Sequence, residues 1–344
     1  MEDRYNSALT DLEKRFKGES KWILPALTWV VSAKRPITIA ELQHVMGVDD
    51  AEEVEWDNYI YCDSDETLPS IEDLLTACSG FLKVDEKTGV VGTSHWTVTR
   101  WVKSRGHIMN EDMAKQCLKY LSYASFQGGP CTSDEEFEDR LAKFPFYGYA
   151  ATQWANHARH MRDITTPLDR TITTFFGFDG TLTPRAVAAV QAQFVLDNNP
   201  DRETLAQGYS QHYPGRLTGV HLAAHLGLEG VVSQLNPTVQ SGSLHDSYGR
   251  SPLWYAVDGG HLPVVRLLMR WRRFDPAEPD KDGFTPMQRA EAKGPGYLKS
   301  DLVQALTRPA APPPPTVRPA LPPGPRPHRP VSGGRVRAPL PRHC

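Results

Sequence analysis

An eight-residue pattern that occurs three times restricts the fold of this 344-residue chain more than any other feature of its sequence. The copies are residues 220–227, 253–260 and 287–294. From His221 to Trp254 the step is 33 residues, and the next step along the chain, to Gln288, is 34. A unit of this length cannot bury its apolar face alone, so neighbouring copies are expected to stack on one another.

Turn-forming and helix-capping residues precede the second and third copies. Residues 246–249 and 280–283 each begin with aspartate and end with glycine, which favours a tight turn. Ser251 and Thr285 follow, each directly before a proline, and their hydroxyls are suited to cap a helix. A turn and two helices in about 33 residues is typical of the ankyrin repeat. We therefore predict about three ankyrin repeats, stacked as a short α-solenoid over residues 216–306.

Side chains at the tips of the predicted turns have no duty in the core, so we take them as candidates for partner binding. The candidates are Ser247, Tyr248, Arg250, Lys281, Asp282 and Phe284. Tyr248 and Arg250 rank first, because tyrosine and arginine often anchor protein interfaces. The simpler alternative is that they are ordinary exposed loop residues.

The rest of the chain is predicted to be mainly α-helical, with one small β-hairpin. The predicted segments are an N-terminal helix (1–18), a winged-helix-like domain (19–107), a helical extension (108–165), a linker with one helix (166–215), the repeats (216–306) and a disordered tail rich in proline and arginine (307–344). The winged-helix prediction comes from the order of three helices followed by a hairpin around residues 81–93. The tail could bind an SH3-like groove, although a plain unstructured end is the simpler interpretation.

Charge and cysteine content indicate which partners and which cellular compartment to expect. Residues 21–160 hold 13 basic and 21 acidic side chains, a net charge of 13 − 21 = −8. A DNA-binding surface needs clustered lysine and arginine, so nucleic acid is disfavoured as a partner, and a DNA-binding regulator is kept only as an alternative.

The apolar stretch at 22–33 is too short to span a membrane, and no secretory signal is visible. Five cysteines lie far apart, which favours a reduced compartment, the cytoplasm or the nucleus.

Several stretches resemble the fungal NACHT–ankyrin receptor-like proteins. They are residues 26–36 (ALTWVVSAKRP), 39–44 (IAELQH), 117–122 (CLKYLS), 134–141 (DEEFEDRL), 149–159 (YAATQWANHAR), 208–211 (GYSQ) and 218–224 (TGVHLAA). In that family, a winged-helix module of the GPI-inositol-deacylase type follows an NTPase domain and precedes ankyrin repeats. The resemblance implies a signalling or self/non-self recognition protein whose repeats bind other proteins.

The NTPase domain of that family has no counterpart motif in this sequence. The phosphate-binding motif G-x-x-x-x-G-K-[ST] does not occur in the sequence. We therefore expect a chain that corresponds to the part after the NTPase domain. The alternative is the C-terminal half of an NTP-dependent switch.

No motif for catalysis is complete. Residues 176–183 resemble the first motif of haloacid-dehalogenase phosphatases, but Gly177 stands where the nucleophilic aspartate should precede Asp179. A serine-hydrolase elbow around Ser20 lacks its second glycine. His221 and His225 are spaced like metal ligands but have no third ligand nearby in sequence. We predict a non-catalytic protein–protein interaction protein without cofactor or metal, and we expect Trp96 and Trp101 to pack in its core.

Overall fold

The computed structural model describes residues 2–48, 53–55, 60–61, 68–105, 110–159, 167–177, 181–198, 206–235, 244–293 and 296–307. The helices are α1 (Glu2–Arg15), α2 (Ile23–Ser32), α3 (Ile39–Gly47), α4 (Ile71–Ala77), α5 (Trp96–Ser104), α6 (Asn110–Leu121), α7 (Asp134–Lys143), α8 (Phe146–Ala158), α9 (Pro167–Phe176), α10 (Pro184–Asn198), α11 (Gly219–Leu226), α12 (Glu229–Leu235), α13 (Pro252–Asp258), α14 (Leu262–Arg270), α15 (Pro286–Ala292) and α16 (Tyr297–Thr307). The strands are β1 (Ile37–Thr38), β2 (Glu53–Glu55), β3 (Ile60–Tyr61), β4 (Leu82–Val84) and β5 (Val90–Thr93). The fold is mainly helical, as the sequence predicts.

The predicted hairpin is present as β4 and β5, and it belongs to a small antiparallel sheet with the order β1-β5-β4. Strand β1 was not predicted from the sequence. It pairs Ile37 with Val91 directly before the capping residue Thr38. The Thr38 hydroxyl accepts a hydrogen bond from the Glu41 amide, and the Glu41 carboxylate accepts one from the Thr38 amide at 2.8 Å. The pattern Thr38-Ile-Ala-Glu41 in the sequence is typical of such a capping box, and α3 starts there.

One side of α5 closes the N-terminal core, and this is where an expectation was wrong. Trp101 is 3% exposed and stacks on Phe81, but Trp96 is 63% exposed. The two residues are five positions apart, which turns them about 140° from each other around a helix. The buried face of α5 is completed by Val98 and Val102, so Trp96 cannot join it.

Aromatic side chains fill the helical region from α6 to α10. Phe146 is completely buried, and its ring meets those of Trp29 and Tyr120 edge-on with centroids 5.3 and 5.2 Å apart. The sequence predicts one helix between 166 and 215, whereas the structure contains both α9 and α10 there. Phe175 and Phe176 of α9 are buried and approach Trp154, so α9 is part of the core.

The repeats form three pairs of helices: α11 with α12, α13 with α14, and α15 with α16. The first helices of the pairs pack in a row, α11 on α13 and α13 on α15, and the second helices do the same. Each turn before a first helix contains one residue with positive φ, at Arg216 (61°), Gly249 (74°) and Gly283 (85°). Arginine therefore stands in the first repeat where the other two have glycine.

The first repeat is joined to the helical region by side chains on both sides. Arg159, just after α8, donates through Nε to the carbonyl of Leu226 at 2.8 Å. Phe194 of α10 stacks on His225 of α11 with centroids 4.9 Å apart. The core thus runs without a break from the helical region into the repeats.

Some predictions fall outside the described residues. They are the position of Asp179 and the residues from 308 onward in the predicted tail. The predicted segment borders stay predictions.

Candidate functional site

The turns in front of the helix pairs, here called tips, contain all of the predicted partner-binding residues. The second tip, residues 246–250, is organised by Asp246, which is 3% exposed. One oxygen of its carboxylate accepts the amides of Tyr248 and Arg250 at 2.8 and 2.7 Å. The other oxygen accepts the hydroxyl of Tyr255 at 2.6 Å. A buried carboxylate with three donors holds this turn in one conformation.

The third tip, residues 280–284, repeats the arrangement. Asp280 is 7% exposed and accepts the amides of Asp282 and Phe284 at 3.1 and 2.8 Å. Its own amide donates to the Phe284 carbonyl at 2.9 Å. The aspartate at the first position of each turn therefore holds that turn together through hydrogen bonds to its backbone amides.

Hydrogen bonds connect neighbouring tips. The first tip, residues 213–217, lies in front of α11. The Ser247 hydroxyl accepts the amide of Gly215 in this first tip at 2.9 Å. On the opposite side, the Lys281 amide donates to the Tyr248 carbonyl at 2.9 Å, and its ammonium donates to the Ser247 carbonyl at 2.7 Å. The three tips therefore form one hydrogen-bonded edge.

Arg250 is the centre of this edge. Its guanidinium lies over the rings of Tyr248 and Trp254, 4.8 and 4.2 Å from their centroids. The same group forms ion pairs with Asp280 at 3.4 Å and Asp282 at 3.7 Å. Only 21% of the Arg250 side chain is exposed, so it braces the second tip against the third.

The structure therefore brings the six predicted residues together but gives them different surroundings. Lys281, Asp282 and Phe284 are exposed, and Phe284 is an aromatic residue with 55% exposure. Ser247, Tyr248 and Arg250 are half-buried between the tips. An exposed aromatic side chain on a braced edge is the kind of group that anchors a protein interface.

The sequence analysis missed a group of charged residues on the first helices. Arg289 of α15 forms an ion pair with Asp258 of α13 and lies 5.0 Å from the Trp254 ring centroid. Lys293 donates to the Asp258 carbonyl. Aligning the repeats would have pointed to Arg289, because it occupies the position of Tyr255 in the preceding repeat.

The histidines of the first repeat have structural bonds. His221 is fully buried; its Nδ1 accepts the Thr218 amide at 3.1 Å, and its Nε2 donates to the Arg250 carbonyl at 3.2 Å. Burial lowers the pKa of His221 to about 4, and it lowers the pKa of His225 to about 4 as well. Neutral His221 thus connects the first helix to the second tip. Within the described part of the chain, no three potential metal ligands lie together.

A separate pocket of about 390 Å³ lies beside Arg35 and Glu41, and Asp197 of α10 also lines it. Arg35 donates twice to the Glu41 carboxylate, at 3.1 and 2.6 Å, and lies over the Tyr149 ring. Because Glu41 also caps α3, its carboxylate is occupied by bonds that hold the fold.

Residues 248–281 match the family model of the ankyrin repeat. The matched stretch runs from the second tip through α13 and α14 to the third tip. No curated protein matches the sequence. The ankyrin repeat implies protein partners and supports a role in protein–protein interaction. None of the helices in the described ranges is long and apolar enough to cross a membrane.

Proposed function

We propose that this chain is a non-catalytic recognition protein that binds another protein along the edge formed by its repeat tips. The observation that carries the proposal is the exposed ring of Phe284, with 55% exposure, on a turn held by Asp280. Lys281 and Asp282 beside it add exposed charges of opposite sign. An apolar group ringed by charges suits a protein surface better than a small molecule.

Bracing by Arg250 supports the same proposal. The ion pairs to Asp280 and Asp282 hold the third tip in place before any partner arrives. A surface that is already ordered loses less conformational entropy when it binds. In this proposal Arg250 and Tyr248 shape the edge, and Phe284 makes the central contact.

The test is a comparison of captured proteins, with the full chain as bait. Phe284→Ser removes the exposed ring from the edge, and Trp96→Ser removes an exposed ring of similar size from α5 as a matched control. We expect proteins that bind wild type and the Trp96 variant to be lost from the Phe284 variant. Equal capture by all three baits would contradict the proposal.

The finer role proposed is that of a receptor-like signalling protein related to the NACHT–ankyrin group. It rests on the resemblance to that group of the stretches at 26–36, 39–44, 117–122, 134–141, 149–159, 208–211 and 218–224. Sequencing the 5′ end of the transcript tests it. An in-frame G-x-x-x-x-G-K-[ST] motif upstream would support the relationship, and its absence would contradict it.

A further inference from the structure

Four arginines occupy the outer side of the second repeat, away from the tips. Arg266 and Arg270 lie one turn apart on α14, and Arg272 and Arg273 follow Trp271 in the next turn of chain. All four are exposed. Across the described ranges, Arg266, Arg270 and Arg272 have no carboxylate within ion-pair distance. We call these four residues the arginine face.

Several acidic side chains of the same repeats are engaged elsewhere. Asp258 pairs with Arg289, Asp280 pairs with Arg250, and Glu278 lies 3.1 Å from His245. None of these carboxylates pairs with Arg266 or Arg270 of α14. Like charges one helical turn apart destabilise a helix slightly. Cations near a helix C-terminus are favourable, which accounts for Arg270 and the two arginines after it but not for Arg266, one turn earlier.

The neighbouring second helices carry less positive charge. Helix α12 exposes Glu229, Ser233 and Gln234, and α16 exposes Ser300, Gln304 and Thr307 and has one half-buried cation, Lys299. The arginine face is thus centred on α14 and the residues directly after it. From Arg266 to Arg273 there are seven steps, which at the rise of a helix correspond to about 10 Å.

The backbone at Arg272 supplies an independent observation. Its φ is 53°, in the left-handed region that favours glycine. Helices commonly end on glycine in this conformation, because a side chain there costs on the order of 1 kcal/mol. Strained residues that persist in a fold tend to mark functional positions. Arg216 has the same kind of conformation, at φ 61°, so what distinguishes Arg272 is its place beside Arg270 and Arg273.

We propose that the arginine face binds a run of carboxylates in an acidic protein segment. Guanidinium groups hold carboxylates with two parallel hydrogen bonds, and here the cations are all arginine and none is lysine. A face about 10 Å long matches roughly three residues of an extended peptide. A nucleic-acid duplex fits less well, since it needs a longer row of cations.

The direct test measures binding of a labelled ten-residue glutamate peptide to the full chain by fluorescence anisotropy at low salt. We expect saturable binding that weakens as salt is added. Arg266→Gln with Arg270→Gln should lower the affinity at least tenfold. The matched control is Arg100→Gln with Lys103→Gln, which removes two exposed cations from α5 and should leave the affinity unchanged.

A second pair of variants separates function from folding. Arg272→Gly removes the guanidinium and relieves the positive φ, so it should keep or raise the melting temperature while it weakens peptide binding several-fold. Arg216→Gly relieves the same kind of strain, at φ 61°, and should leave binding unchanged.

Unchanged binding in both the Arg266/Arg270 and Arg272 variants would overturn the proposal. Tighter binding of a short DNA duplex than of the peptide would overturn it too. Phe284→Ser should retain peptide binding, so failure here and failure of the tip proposal can be told apart.

Discussion

The repeats and the helical region from α6 to α10 are both built from short helices, but different interactions hold them together. In the repeats, the same polar bonds return at each step: Asp246 and Asp280 close successive turns, and Ser251 and Thr285 cap successive helices. The helical region instead depends on aromatic contacts that occur once each, centred on Phe146.

This difference decides what a change at one residue does. A repeated turn is supported by its neighbours, so losing one set of bonds weakens the edge of the stack. A large ring in an unrepeated core has no equivalent elsewhere, and its loss leaves a cavity. We therefore expect the largest effects in the helical region.

The largest expected effect is that of Phe146→Ala. The ring is completely buried, packs edge-on against Trp29 and Tyr120, and stacks on Tyr149 with centroids 5.3 Å apart. Truncation should lower the free energy of unfolding by about 3–5 kcal/mol. Urea denaturation measures this loss.

Trp96→Ala is the matched control, because its ring is 63% exposed and should cost less than about 0.5 kcal/mol. Similar losses for the two variants would break the comparison between core and surface.

The second-largest expected effect is the loss of free energy of unfolding at low pH. It should involve both the helical region and the repeats. Burial lowers the pKa of His157 in α8 and of His221 and His225 in α11 to about 4. The unfolded chain takes up these protons near pH 6.5, so stability is full above that pH and falls as pH drops toward 4. At pH 5.5 each histidine should cost about 1 kcal/mol.

Urea denaturation at pH 7 and pH 5.5 measures the dependence. His157→Gln should reduce it, because one of the histidines whose pKa is lowered by burial is gone; His261, whose pKa burial also lowers, adds to the remainder. A free energy of unfolding that is the same at both pH values would show that these side chains are not buried as neutral groups.

The smallest of the three effects is expected for Asp246→Ala in the repeats. Its buried carboxylate accepts the amides of Tyr248 and Arg250 and the hydroxyl of Tyr255. Removing it should cost about 2–3 kcal/mol in the free energy of unfolding. Asp275→Ala is the control, because Asp275 is exposed and, among the described residues, its carboxylate accepts the amide of Ala277 alone. A loss at Asp246 no larger than that at Asp275 would contradict the role given to the tips.

The sequence predicts the repeats well because their signals are local. A serine or threonine before proline caps α13 and α15, and both capping hydroxyls accept the expected amide. The capping box at Thr38 and the hairpin of β4 and β5 are confirmed for the same reason.

Features that depend on distant partners were missed. Strand β1 is two residues long and exists because β5 lies beside it. Helix α9 gains its place from the contacts of Phe175 and Phe176 with Trp154. Trp96 was wrongly assigned to the core because composition alone does not tell which side of α5 faces inward.

The candidate site shows the same division. The turns predicted the positions of all six tip residues, from Ser247 to Phe284. They did not predict that Arg250 lies between Tyr248 and Trp254 and pairs with Asp280, because that contact joins two repeats 30 residues apart. The sequence therefore did not show that the Arg250 side chain is half-buried, and the structure did.

The central claim is that the tips form one connected edge. Hydrogen–deuterium exchange, followed residue by residue in wild type and in Asp246→Ala, tests it most directly. The account predicts faster exchange in the variant at Tyr248 and Arg250, and also at Lys281 in the third tip, whose amide donates to the Tyr248 carbonyl. Faster exchange confined to the second tip, with Lys281 unchanged, would contradict it.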